Sequence, residues 1–307
     1  MLFFTGYTLA SVLTFIALVA GMIILNEVTR RYKWAGIAMY VIFPIIATIF
    51  IWPRTAGGNV GGTWFAWVKT YSALAGVIGF MLLRYIPKLQ KNKFMLTYPA
   101  LILAINILEA VYADLECLPK TGQIEAGLEM IGGPWNVFNA IAGILNIVTI
   151  TGWLGIRIAR SKSKDMVWAD QLWFWIIAYD LWNMSYCYNC ISNRAFYAGF
   201  LLLVSCTAAE FFIKRGIWLQ HRAQTLALWA MFSLTADYSA AEKYFSITST
   251  QQALPKLILS IAALAFNIAV LVYEIRIVRS TKRNPLKEEI YTDLNSYKMN
   301  LAENGLN

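Results

Sequence analysis

The chain alternates between long apolar runs and short polar junctions. Met1 to Asn26 holds no charged residue, and neither does Trp34 to Trp52. At 1.5 Å per helical residue, runs of this length match the hydrocarbon thickness of a bilayer. Nine such segments can be marked: Thr5–Asn26, Trp34–Trp52, Trp64–Leu83, Phe94–Ala113, Asn136–Ile156, Trp168–Tyr188, Ala195–Ile213, Ala223–Ala240 and Leu257–Ile275. Helices are the expected form, because a lone strand cannot satisfy its backbone in lipid, and no alternating pattern points to a barrel. The pattern predicts an all-α, polytopic transmembrane helical bundle of about nine spans over residues 1–279, followed by a polar cytoplasmic tail, 280–307. The first segment reads as a span and not as a cleavable signal, since it lacks a basic leader and a small-residue cleavage pattern before Glu27.

The basic residues fix an expected orientation. Counting every second junction from Arg30 onward, with the tail, gives 20 Lys and Arg; the opposite junctions hold 6. Positive residues favour the cytoplasm, which puts the N-terminus outside and the C-terminus inside. The outer loop from Asp114 to Pro134 is acidic, with Asp114, Glu116, Glu125 and Glu129 against Lys120. Glu27, Glu210 and Glu274, each within a turn of a rim base, read as ordinary surface partners.

Sliding the chain on itself by 71 positions aligns residues 61–117 with 132–188 at 11 identities, among them Gly61, Gly62 and Trp64 on Gly132, Gly133 and Trp135. The unit is two spans, so the expected copies are parallel helix-hairpin repeats. The same shift places Glu109 on Asp180. Counting from the last basic residue before each, Glu109, Asp180 and Asp237 all lie roughly 24 Å above the basic rim, and Lys69 reaches nearly the same level. Ionisable groups within a span usually face the bundle interior and pair with one another. The layer is expected either to form an outward vestibule for a cation, proton or small polar solute, or to mark the headgroup boundary where side chains snorkel.

Asparagines add a second polar set. Asn136, Asn139 and Asn146 fall on one face of the fifth segment, and Asn106, Asn183 and Asn267 are also intramembrane. Each alone fits interhelical hydrogen bonding; together they suggest the lining of a polar cavity. Gly57, Gly58, Gly61, Gly62, Gly132 and Gly133 mark turns or re-entrant loops, and Pro44 and Pro99 are expected to kink their helices. Some of the 12 tryptophans form interface belts, with Trp173 and Trp175 as alternative contacts to an organic ligand.

Candidate enzyme chemistry is sparse. His221, the only histidine, is expected at the rim as a solvent-facing polar group, which removes multi-histidine metal and haem sites. No nucleophile elbow or nucleotide loop occurs, and no metal or cofactor is expected. Cys117, Cys187 and Cys190 cluster near the outer ends of two segments, as candidates for one disulfide or a Cys-x-x-Cys redox pair. Cys206, mid-segment, reads as a buried apolar residue.

Composition closes the picture. The 307 residues are 59% hydrophobic and 14% charged, unlike a soluble domain, and the net charge of +9 is explained by topology and not by nucleic-acid binding. The partners expected are the bilayer and a small polar or ionic solute. The favoured function is a transporter or channel-like permease, with Lys69, Glu109, Asp180 and Asp237 as its charge layer and Asn139, Asn146 and Asn183 as its lining. The alternatives are a ligand sensor, or an embedded enzyme acting on lipid or quinone through the outer cysteines or carboxylates.

Several stretches are also familiar as sequence. Gly62–Phe80 (GTWFAWVKTYSALAGVIGF), Asn92–Ala110 (NKFMLTYPALILAINILEA), Gly132–Ile147 (GGPWNVFNAIAGILNI), Leu172–Asn183 (LWFWIIAYDLWN), Trp218–Trp229 (WLQHRAQTLALW) and Lys282–Leu294 (KRNPLKEEIYTDL) carry the likeness. Together they resemble an uncharacterised family of bacterial multi-pass membrane proteins, a domain of unknown function. The resemblance implies a bacterial cytoplasmic membrane and brings no activity or site residues.

Overall fold

The computed structural model of the chain describes residues 2–56, 64–125, 128–191, 194–236 and 241–306. Gly57, Gly58, Gly61, Gly62 and Asp237 lie outside them. The described residues form ten helices: α1 (Leu9–Arg31), α2 (Lys33–Thr55), α3 (Trp64–Tyr85), α4 (Lys93–Cys117), α5 (Pro134–Val148), α6 (Trp173–Cys190), α7 (Phe196–Phe212), α8 (Trp218–Thr235), α9 (Ala253–Thr281) and α10 (Asn295–Ala302). Each of the nine apolar segments contributes one helix, and the tail adds the short α10. Length and apolarity suffice to cross a membrane in five, α1, α2, α3, α4 and α9. The other four are shorter or carry polar residues into the interior, so the nine-span expectation is met in part.

Local chemistry sets the helix ends. Thr8 caps α1, its hydroxyl accepting from the Ser11 amide at 3.0 Å while its own amide donates to Ser11 Oγ at 2.9 Å. Asn92 caps α4 by accepting from the amides of Phe94 and Met95. Pro44 lacks an N–H for the turn before it, and α2 widens into π-helical stretches on either side, Ala38–Ile42 and Ala47–Ile51. Pro99 stays within α4 near its start.

Two groups of helices pack side by side. In one, α4, α5, α6 and α9 surround a core that includes Ile107, Ala142, Trp182 and Ala263. In the other, α1, α2, α3, α7 and α8 enclose Tyr40, Trp52, Val77 and Leu234. The seam between them is bounded by α3, α7 and α8 on one side and α4 and α6 on the other.

One end of the bundle gathers the basic junctions around Asp165. Arg30 Nη1 donates to its carboxylate at 2.6 Å, Arg84 lies at 3.7 Å, and Ser163 and Gln220 donate at 2.6 and 3.0 Å. The tail folds across this end. Asp170 accepts from the backbone amides of Ile290 and Tyr291 at 3.1 and 2.9 Å and from Thr151 at 2.6 Å; Arg157 pairs with Glu289; and Ile290, Tyr291 and Tyr297 are buried. The opposite end is closed by a short antiparallel pair, Phe4–Thr5 with Thr248–Ser249.

The predicted boundaries fail mainly at the basic end. Helix α5 stops at Val148 instead of Ile156, and α6 starts at Trp173 instead of Trp168; of the apolar residues between, Ile150, Ile156 and Trp168 pack into the first group's core, and Ala159, Val167, Ala169 and Leu172 pack with Ile290, Tyr291 and Tyr297 of the tail. The two stretches of the proposed repeat have helix starts at Trp64 and Pro134, one position apart at the 71-residue shift, and inner ends at Tyr85 and Val148 that do not correspond.

Candidate functional site

The charge layer resolves into contacts across the seam. Lys69 on α3 donates to Glu109 on α4 at 3.1 Å and to Asn106 Oδ1 at 2.7 Å, with both charged side chains about four-fifths buried (18% and 19% exposed). The pair joins one helix group to the other. Asp180 on α6 makes no direct contact with it. Its Oδ2 accepts from Thr207 on α7 at 2.7 Å, and its buried Oδ1 has no partner.

Arg222 on α8 is the residue that sequence reasoning misplaced. It belonged, by count, to the solvated basic rim. In the structure α8 begins five residues earlier than the apolar run, and the Arg222 side chain enters the bundle, 5% exposed. Nε donates to the Tyr179 hydroxyl at 3.3 Å, Nη2 to Asn183 Oδ1 at 3.2 Å, and the guanidinium lies 5.8 Å from the Tyr179 ring centre. Nη1 is buried with no partner. Trp175 stacks on Tyr179 at 5.6 Å and Trp218 meets both rings edge-on, so an aromatic floor fixes the ring beneath the charge. Four ionisable side chains, Lys69, Glu109, Asp180 and Arg222, thus line the seam, with Asn183 bonded to Arg222. Trp173, by contrast, is exposed at the start of α6.

Asn139 and Asn146 go elsewhere. Within the four-helix group, Asp114 is fully buried and accepts from Asn136 at 2.9 Å and Asn139 at 2.6 Å, with Asn189 at 3.5 Å and the Cys190 thiol at 3.4 Å. Asn136 is itself aimed by the Gly133 amide, which donates to its Oδ1 at 3.0 Å; that amide caps α5. Beside this cluster Lys256 is buried, donating to the carbonyls of Tyr188 and Asn189 at 3.3 and 3.1 Å. Asn146, two turns further along α5, is buried with neither amide atom partnered, and Asn267 on α9 leaves Oδ1 unpaired. Asp114 and Lys256 had been assigned to loops; each lies inside its helix, within a turn of the end.

Further expectations are corrected. His221 is fully buried, not solvent-facing: Nδ1 sits 2.7 Å from Asn26 Nδ2 and Nε2 3.1 Å from the Lys214 carbonyl. The carbonyl requires Nε2–H as donor, leaving Nδ1 to accept from the amide, so the ring is neutral. Glu210 is no surface partner of Lys214; it is buried and accepts from the amides of Gly216 and Ile217 at 2.6 and 3.1 Å. Glu274 is also buried, with Oε2 unpaired, while Glu27 does pair with Arg30 and Arg31. Cys117, Cys187, Cys190 and Cys206 are all buried and stand as free thiols in the structure. The Cys-x-x-Cys pair is split: Cys187 faces Asn183 and Ala198 while Cys190 faces Asp114. Among the described residues no three His, Cys, Asp or Glu side chains gather as a metal site.

Comparison with curated proteins and with solved structures finds no match. A family profile does match, over residues 6–303, which is nearly the whole chain and includes every residue of the seam described above. The chain belongs to that family, DUF5692, a family of unknown function.

Proposed function

We propose that this protein is a multi-pass permease for a small polar or ionic solute, and that the solute passes along the seam between the two helix groups. In this reading α1 to α9, the shorter ones included, cross a bacterial cytoplasmic membrane with the N-terminus outside and the basic end in the cytoplasm. The observation that carries the proposal is the placement of Lys69, Glu109, Asp180, Asn183 and Arg222 on both walls of one seam, buried, with Asp180 Oδ1 and Arg222 Nη1 left unpartnered. Ionisable groups are costly inside a bilayer, and a bundle needing only cohesion is served by apolar packing and a few amides. Charges concentrated between two separately packed groups suit a solute site exposed by rocking one group against the other. Lys69 and Glu109 bond across the seam instead of reaching separately for headgroups, which favours the vestibule over the boundary reading.

The test is flux in proteoliposomes. Wild-type protein should carry a polar solute or ion, and Glu109→Gln and Asp180→Asn should each reduce the rate at least tenfold at equal incorporation. Unchanged flux in both variants would return these groups to a boundary role. Solute-dependent protection without flux would indicate a sensor, and turnover of lipid or quinone an enzyme.

A further inference from the structure

We infer that the seam binds a small zwitterion, with Arg222 holding its carboxylate and Asp180 its ammonium group. The inference rests on the permease reading and names its substrate class.

Two atoms of opposite character are left open within one turn of α6 and the arginine that bonds it. Arg222 Nη1 is a charged donor and Asp180 Oδ1 a charged acceptor, both shielded from solvent and both without a partner. Their other bonds hold them still. Tyr179 and Asn183 occupy Nε and Nη2 of Arg222, the Tyr179 ring lies against its guanidinium, and Thr207 occupies Asp180 Oδ2. Each group therefore presents one fixed, unsatisfied hydrogen-bonding position. Asp180 lies one helical turn from Asn183, the residue that Arg222 bonds, and among the described residues Arg222 and Asp180 form no ion pair with each other. A buried polar atom left unpaired costs about 1–3 kcal/mol, more when charged, and a ligand supplying the missing partner recovers it.

Charge balance then selects among ligands. Lys69 and Glu109 pair directly, and Arg222 and an ionised Asp180 add one charge of each sign, so the seam is then neutral in sum. A lone anion would satisfy Arg222 while adding negative charge beside an unpaired Asp180. A lone cation would satisfy Asp180 while facing the positive charges of Arg222 and Lys69. A zwitterion completes both groups and carries no net charge into the bilayer, where an uncompensated charge is most costly. Its two ends must be a few bonds apart to span a gap between near neighbours, as in an amino acid or a short betaine.

The probes are radiolabelled neutral amino acids and glycine betaine, run against propionate and ethylamine as the two half-molecules. Uptake into proteoliposomes and thermal stabilisation in detergent are both measured. The expected result is that at least one zwitterion is taken up and bound at least tenfold better than either half. Arg222→Gln should abolish both effects. Asp180→Asn should weaken zwitterion binding at least tenfold while improving propionate binding over wild type, because the seam then carries a net positive charge. That gain cannot come from a misfolded protein. Equal handling of zwitterion and half-molecules, or flux of an inorganic ion or polyol with no zwitterion recognised, overturns the inference and leaves the permease standing. Zwitterion binding that Arg222→Gln abolishes, without flux, supports the site and overturns the permease. No binding and no flux for any probe overturns both.

Discussion

Asp165 shows how much of this molecule depends on single polar residues outside the apolar pattern. Burial pushes its carboxyl pKa up, yet Arg30, Ser163, Arg84 and Gln220 together hold it below the ordinary aspartate value. Arg30 and Arg84 are themselves buried, and removing their shared carboxylate leaves two cations without that counter-charge. Asp165→Asn should therefore destabilise the detergent-solubilised protein by about 3–5 kcal/mol, read as a large drop in unfolding temperature. A drop no larger than that of an exposed substitution such as Asp293→Asn would show that Glu27 suffices to hold Arg30 and backbone carbonyls suffice to hold Arg84. The residue scale is also where sequence reading succeeds and fails most sharply. Lys69 and Glu109 were found by counting residues from the basic rim, because helical rise converts spacing into depth. Arg222 was lost because the same count treats every base near a junction as solvated. A long side chain four residues past the helix start at Trp218 can lie inside or outside, and only its partners Tyr179 and Asn183 decide.

At the scale of elements, the apolar runs located every long helix but misjudged their ends where the chain is covered by protein. Residues 149–156 and 168–172 read as the ends of the spans that hold α5 and α6, since Ile150, Ile156 and Trp168 are as apolar as lipid-facing positions. Protein covers them instead: these three pack into the core of the first helix group, and Ala169 and Leu172 pack with the tail, which is fastened by Asp170 to the amides of Ile290 and Tyr291 and by Gly152, whose amide donates to the Pro285 carbonyl at 2.9 Å. A polar tail gives no sequence signal of docking when its anchors are backbone groups. The anchor is pH-sensitive. Burial pushes the Asp170 carboxyl pKa up to about 6, against the donors Thr151, Tyr291 and Ile290, while its unfolded value stays near 4. The folded state thus binds this proton more tightly, and stability rises as pH falls from 7 towards 4, by on the order of 2–3 kcal/mol. Below about 4 the gain is complete, and protonation of Asp165 begins to act in the opposite direction. The unfolding temperature of wild type should rise between pH 7 and 5 by several degrees more than that of Asp170→Asn. Parallel profiles for the two proteins would contradict the assignment.

For the whole molecule, the division into two helix groups was not legible, because hydrophobic periodicity says that a face is buried but not against which neighbour. The groups matter because the charges lie between them. Asn139 and Asn146, alike in sequence to Asn183, fall inside one group, Asn139 bonded to Asp114 and Asn146 two turns further along α5, whereas Asn183 meets Arg222 across the seam. The account's central claim is that this seam opens to water in use. The most direct measurement introduces Thr207→Cys, at the seam, and Leu108→Cys, 47% exposed on the outside of α4, and follows modification by a charged, membrane-impermeant thiol reagent with peptide mass mapping. The account predicts that Thr207→Cys reacts at least tenfold faster than Leu108→Cys from at least one side of the membrane. Equal inertness of the two positions from both sides would make the seam dry packing and contradict it.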